Sequence, residues 1–561
     1  MSDAPTKPPT VSVLSWFREV TGDRILSYLL NCDSDALPAL LSGKTPLIQR
    51  QAELAEFLAV QHAELLKVEE QNRQAVVCDW LMMVAQNNRP NAVNFRNHVS
   101  GSDDLTLPDL QNPDSILAAL AVDAYPGFLL PEDSQSGPMH KRVNFAVTRM
   151  LHQHPSTNML LENLLSEKIF ASTFPTGENL IDRATALFRN TGSGGSFQLV
   201  LLPELLMMRA WLHLECQATT PEEFAIKAVG ELQIVRRLLS GKTEYIPAKV
   251  AFTGVLLPTE SSLDIQGPVP GTIRSATDAD RNLAPPSLSG TVQGSDEDGA
   301  LTTINYGGDV IFEYKFPYRV RSLRDGFEIT DPWPSDMERP SSINSVTTRL
   351  RFSLLLAVER RARVQIVQAW NHVDTPLNFG QSLSWSDTRQ ATGISPTQLT
   401  PEEMTAWVEW YERLCIEPVK KIDLALTRIL RAMSERREPS DVLIDSVIAW
   451  ENLFGTSEGE PTFRISMSLA VLLEDSAESR RVRRTELAKI YGLRSRIVHG
   501  NGDLETDEHL RCYEALDVAI KAIRVLLSER TDILSLANGA KRSEALLIWQ
   551  GEPTPAPLLP S

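Results

Sequence analysis

Cysteine is scarce in this chain and scattered. Its five copies, Cys32, Cys78, Cys216, Cys415 and Cys512, share no short spacing, so neither a disulfide framework nor a zinc site is indicated. Long apolar runs are missing too. The best, Phe197 to Met208, is interrupted by Pro203 and Glu204, and a membrane-crossing helix needs about 20 apolar residues. The start, Met-Ser-Asp-Ala-Pro-Thr-Lys-Pro-Pro, is polar and Pro-rich, unlike a secretory signal. The expectation is a cytoplasmic protein without membrane contact. Positive charge is in deficit: 55 Lys and Arg face 72 Asp and Glu, a net charge of -17, with a pI near 5.1. Bulk electrostatics would therefore repel nucleic acid, and any nucleic-acid chemistry needs a local basic patch. There is no P-loop, nucleotide-binding glycine motif, Ser/His/Asp constellation or internal repeat, and no cofactor is implied.

What is present is size and one short motif. With 561 residues, 42% of them hydrophobic, the chain can build about three domains with real cores. Near its end it reads Tyr491-Gly-Leu-Arg-Ser-Arg-Ile-Val-His-Gly500. This pairs a permanent cation, Arg494, with His499, the side-chain type that titrates near neutral pH. On a helix, Ile490, Leu493 and Ile497 form one apolar stripe, with Arg494 on its flank; Ser495 and His499 lie on the order of 150° away, at i, i+4 to each other. A lone histidine is most often a structural residue, but this one is badly placed for a core. The chain carries its own control in Arg149-Met-Leu-His-Gln-His154, which has the same spacing. There Pro155 follows directly and no Gly-Asn-Gly turn is present, so that copy reads as coincidence.

The surroundings of the C-terminal copy are helical. A helix is expected over Met404 to Ser434. Another, starting after Pro439-Ser-Asp and ending at Gly455, carries Leu443, Val447, Trp450 and Phe454 on one face. A short segment follows from Phe463 to Leu473, then the Arg480, Arg481, Arg483, Arg484 cluster and the motif helix. Finally Asp507 opens a helix with Tyr513, Leu516, Ile520, Ile523 and Leu527 aligned. Residues 400–532 therefore read as an all-α bundle of four or five helices. Arg480, Arg481, Arg483, Arg484, Lys489, Arg494 and Arg496 supply a basic patch for RNA; the plain alternative is a solvated helical face paired internally, for instance with Glu486.

Three linked blocks now resemble a known family. They are Ile448-Ala-Trp-Glu-Asn-Leu-Phe454, Phe463-Arg-Ile-Ser-Met-Ser-Leu-Ala, and Tyr491-Gly-Leu-Arg-Ser-Arg-Ile-Val-His-Gly-Asn501. In order and spacing they resemble the HEPN superfamily of ribonucleases, ApeA-like branch, over roughly a quarter of the chain. The resemblance implies a metal-independent RNA endonuclease whose arginine and histidine, here Arg494 and His499, meet their copies across a homodimer. The polar position after the arginine falls on Ser495, where members often carry Asn, His or Asp. Many relatives are toxins or phage-defence effectors, and others are inactive dimeric modules for binding nucleic acid or protein. The chemistry agrees: attack by the RNA 2′-hydroxyl needs a base, an acid and a cation for the phosphorane, which His and Arg can supply.

The whole chain is expected to be multidomain and mainly α. Residues 1–240 read as mostly helical, with a possible degenerate helix-turn-helix at 24–60 whose second helix would carry Asp33, Asp35 and Pro38. Such acidic content suits a structural or protein-interaction pair better than a DNA reader. Residues 241–395 read as a mixed α+β domain, with strands over Lys249–Leu257 and Asp309–Val320 and a long loop at 266–300. Arg349 to Val358 fits helix and strand periods alike. The tail, 551–561, is Pro-rich and expected to be disordered. The upstream portion would sense a phage-derived trigger or restrain the nuclease.

Overall fold

The computed structural model describes residues 9–101, 112–131, 143–175, 177–179, 185–190, 193–214, 220–258, 261–267, 269–281, 283–288, 290–295, 301–322, 335–359, 364, 366–377, 382–385, 397–456, 460–499 and 504–548. Among them are 22 α-helices and a few small sheets, so the chain is mainly helical with β-structure in its middle. The Pro-rich tail and Gly500-Asn501-Gly502 lie outside the described residues. No described helix is long and apolar enough to cross a membrane.

Two compact units divide the chain, and they interleave in sequence. One takes 1–245, 317–336 and 375–381; the other takes 246–316, 337–374 and 382–561. The mixed segment therefore does not stand alone as 241–395: most of it clusters with the C-terminal helices.

The first unit is helical, as its sequence suggested, around the nearly all-buried helix Pro113–Phe128. Its possible helix-turn-helix does not present a reading helix. The second helix of the supposed helix-turn-helix is only Leu37–Leu41, started by Pro38, with Leu37, Leu40 and Leu41 buried. Asp33 and Asp35 sit in the turn before it. A five-residue helix that spends its face on the core has nothing to offer a groove. Thr185–Asn190 and Ser193–Gln198 pair as a hairpin, which Val320–Ser322 extends into a three-stranded sheet.

The second unit is numbered here for itself. Its sheet comprises β1 (Glu244–Thr253), β2 (Ser262–Ile265), β3 (Gly271–Ser275), β4 (Val310–Tyr318), β5 (Val367–Val373) and β6 (Ser382–Trp385), in the order β6-β5-β1-β4-β3-β2. The expected loop over 266–300 thus contains β3, an internal strand, and half of a separate hairpin, Thr291–Ser295 with Leu301–Asn305. Glycine and polar residues hide β3 in the sequence, but Gly271 has a packing reason. A Cβ there would fall 2.4 Å from the Glu313 carbonyl oxygen on β4.

Beyond β3, Asp280 is fully buried and collects donors from three places. Lys249 Nζ reaches Oδ1 at 2.7 Å; Arg274 reaches Oδ2 at 2.6 Å through Nη1 and Oδ1 at 3.2 Å through Nη2. The Thr277 N–H and hydroxyl add bonds of 3.0 and 2.8 Å to Oδ2. Burial opposes ionisation, yet Arg274, Lys249 and the Thr277 amide outweigh it and hold this carboxyl well below the usual range. Asp280→Ala would leave two cations without their shared partner, so the expected loss is about 3–5 kcal/mol, read as a lower denaturant midpoint. Because the folded-state value is depressed, the network's stabilisation is complete above about pH 4 and is lost as pH falls below it.

Besides two four-residue helices, Asp278–Arg281 and Thr531–Leu534, the unit contains α1 (Ser335–Ala357), α2 (Pro401–Leu414), α3 (Asp423–Ser434), α4 (Pro439–Phe454), α5 (Pro461–Leu473), α6 (Ala477–Val498), α7 (Thr506–Ser528) and α8 (Gly539–Ile548). The single helix expected over Met404 to Ser434 is two, because Pro418 opens a 3-10 turn, Glu417–Ile422, between them. Arg349–Ala357 resolves as the end of α1, with Val358 directly after it. The bundle core also exceeds the expected 400–532 boundary at both ends, taking Phe352, Leu355 and Leu356 from α1 and Leu546 from α8. Trp450 is fully buried and its indole N–H donates to the Ala515 carbonyl at 3.1 Å, tying α4 to α7. Arg542 of α8 is buried with it, donating to the Leu453 and Asn452 carbonyls at the end of α4, both at 2.8 Å. That satisfies carbonyls a helix end leaves open.

Candidate functional site

The motif helix α6 begins on a reciprocal serine cap. Ser476 Oγ accepts from the Ser479 N–H at 3.0 Å and Ser479 Oγ accepts from the Ser476 N–H at 3.3 Å. Glu478 in its first turn suits the positive end of the helix dipole. Leu487, Ile490 and Leu493 are buried, and Ile497 packs against the same core from a half-buried position. The apolar stripe therefore faces inward as its spacing predicts. Ser495 is half-buried, and His499, the C-cap residue, is exposed, its N–H bonded to the Ser495 carbonyl at 3.2 Å.

Arg494 lies between these extremes. Its side chain is 26% exposed, its Nε is sealed from solvent without a hydrogen-bond partner, and Nη2 lies 3.9 Å from Glu451 Oε1 on α4. That separation is an ion pair but not a hydrogen bond. The same Glu451 oxygen accepts from the Tyr491 hydroxyl at 2.8 Å. Burial, and then the Glu451 carboxylate, push the Tyr491 phenol up to about 12, so it stays an O–H donor at any physiological pH. Sequence reasoning passed over Glu451. Its only signal was a carboxylate set beside the apolar stripe of α4, directly after Trp450.

The basic patch is more neutralised than its composition suggests. Arg481 pairs with Glu478 at 2.8 Å, Arg483 with Glu486 at 3.1 Å and Glu514 at 2.7 Å, and Arg496 with Glu508. Arg480 donates to the Glu474 carbonyl, while Arg484 stacks over the half-exposed Phe463 ring, 5.2 Å from its centre. Lys489 is exposed. The plain alternative, a helical face paired internally, thus describes Arg481 and Arg483, and the Glu508 pair ties Arg496 to α7. Arg480, Arg484, Lys489 and Arg494 carry the remaining positive charge of the helix.

The internal control behaves as coincidence would. His154 is buried, its Nε2 3.3 Å from Asp123 Oδ2, and its Nδ1 accepts from the Ser156 N–H at the start of the next helix. Arg149 is ion-paired with Asp79 and lies over the Phe145 ring. Both side chains serve the fold, in contrast to His499. Among the described residues no three His, Cys, Asp or Glu side chains gather as a metal site would require. Compared with protein-family models, with curated proteins and with solved structures, this chain matches none.

Proposed function

We propose that the C-terminal bundle is a HEPN-type RNA endonuclease of a toxin or anti-phage system, acting through Arg494 and His499. One observation carries this reading. The end of α6 presents an exposed histidine one turn beyond an arginine whose ion pair with Glu451 is 3.9 Å long. A base, an acid and a phosphate-stabilising cation are what 2′-hydroxyl attack requires, and two copies of the pair supply them without metal. The copies would meet across a homodimer within about 10 Å, the span one reacting phosphate allows. Val498, 49% exposed beside His499, and Leu510, 74% exposed on α7, are apolar surface such a partner would cover. Products would carry 2′,3′-cyclic phosphate and 5′-hydroxyl ends. The first unit would restrain the nuclease until a phage-derived ligand binds one of two states with higher affinity.

A second reading, a non-catalytic dimeric HEPN module, is favoured by the pairing of Arg481, Arg483 and Arg496 with carboxylates, which weakens the grip on phosphate. Incubating the purified chain with single-stranded RNA separates the two. The nuclease reading expects cleavage that persists in EDTA and a dimer by light scattering at micromolar concentration. Cleavage that EDTA stops and magnesium restores would overturn the mechanism, and a monomer would overturn the composite site.

A further inference from the structure

Glu451 is an odd neighbour for a phosphate-binding arginine. A carboxylate beside an RNA site repels the substrate, so its presence needs a reason. We propose that Glu451, oriented by Tyr491, is a positioning residue that aims the Arg494 guanidinium at the scissile phosphate; the inference rests on the nuclease reading above. Three geometric facts carry it. One oxygen, Glu451 Oε1, serves both the Tyr491 hydroxyl at 2.8 Å and Arg494 Nη2 at 3.9 Å. Tyr491 lies on α6 three residues before Arg494, on the neighbouring turn, while Glu451 comes from α4, so the trio fixes one helix against the other at the motif. Finally, Arg494 Nε is enclosed without a partner, so no hydrogen bond of the fold to that atom sets the guanidinium plane.

The arrangement divides the work. Tyr491 is a neutral donor that holds the carboxylate in one rotamer without consuming its charge. That charge then biases a long, rotamer-rich side chain toward one direction. Because 3.9 Å is too long for a hydrogen bond, the Arg494 Nη2 group is not committed to Glu451 and can turn to phosphate oxygens, which a guanidinium can grip in pairs. A tight bidentate bond to Glu451 would instead have kept the arginine from its substrate.

The test is a double-mutant cycle on the full-length chain, with a fluorophore–quencher single-stranded RNA as substrate and His499→Ala as the reference for lost chemistry. Glu451→Gln is expected to lower kcat about 10- to 100-fold through misplacement of the cation. KM should stay level or fall, since a repelling charge has gone. Tyr491→Phe should lower kcat in the same direction by less. In an Arg494→Ala background, Glu451→Gln should cost nothing further, because the residue acts only through that arginine. Full activity of Glu451→Gln, or losses that add to those of Arg494→Ala, would overturn the proposal. A rise in KM with kcat unchanged would also overturn it, marking Glu451 as a binding or merely structural group. Tyr491→Phe keeps the question open to refutation if Glu451→Gln fails to fold. If instead His499→Ala cleaves as well as the natural chain, the nuclease assignment itself fails, and if no form cleaves RNA both fall together.

Discussion

His499→Ala is expected to reduce RNA cleavage by about 10²- to 10⁴-fold, the contribution of a well-placed general acid or base, while leaving fold and dimer unchanged. The side chain is exposed at the C-cap of α6, and the cap's hydrogen bond to the Ser495 carbonyl comes from the backbone N–H, which alanine keeps. A surface substitution of this kind stays within about 0.5 kcal/mol in stability, so an unshifted melting curve beside lost activity is the diagnostic pair. Arg494→Ala should cost cleavage to a similar degree, about 10²- to 10³-fold for a lost charge-stabilising group. It should also weaken RNA binding. Ser495 is half-buried, and the base, acid and cation of 2′-hydroxyl attack are already supplied by His499 and Arg494, so Ser495→Ala should have the smallest effect of the three. Expression in a bacterial host gives a second measurement: growth arrest by the natural chain and growth with His499→Ala. Equal toxicity of the two would remove His499 from the mechanism.

What the sequence made legible follows from periodicity. The α6 stripe over Leu487, Ile490 and Leu493 is buried, and α4 runs from Pro439 to Phe454 with Trp450 and Phe454 at its core. Those segments are long, amphipathic and bounded by proline or caps, so local pattern and tertiary packing agree. Legibility failed where packing alone decides. β3 has one large apolar residue, Ile273, between glycine and polar neighbours, and only the close approach of β4 explains Gly271. Arg349–Val358 fitted two periods because this segment is almost wholly buried, Val358 included, and full burial erases the polar face that would distinguish helix from strand. In the site, Arg494 and His499 were marked by a motif. Glu451 was not, since its partner Tyr491 lies 40 residues on in sequence and no spacing rule joins them. Ion pairing across helices escaped the sequence for the same reason: Glu514 and Glu508 neutralise Arg483 and Arg496 from α7.

A fragment starting at residue 396 is expected not to fold, although it contains every residue of the motif. The bundle core draws Phe352, Leu355 and Leu356 from α1, which such a cut removes. Truncating a buried Phe or Leu to Ala costs about 2–5 kcal/mol each, so losing three exceeds much of the roughly 5–15 kcal/mol that stabilises a domain. Polar groups suffer as well. The Trp407 indole N–H donates to the Leu350 carbonyl at 2.8 Å, and Arg351 Nη2 donates to Ser434 Oγ at 2.7 Å. Both interactions are buried; the cut removes the acceptor of the Trp407 N–H, and a buried donor left unmatched costs about 1–3 kcal/mol more, while Ser434 Oγ loses a charged donor. Circular dichroism and denaturant titration check this directly, with retained helicity and a cooperative transition in the fragment as the result that would refute it. The consequence reaches the question of restraint. A non-toxic 396–561 fragment cannot show that the upstream chain is idle, because α1 belongs to the core of the C-terminal bundle itself. Restraint has to be probed in the intact chain. A substitution confined to the first unit, such as Asp79→Ala, which frees Arg149 from its ion pair, leaves every bundle contact in place. Raised toxicity from such a variant, abolished again by His499→Ala, is the outcome that a restraining first unit requires.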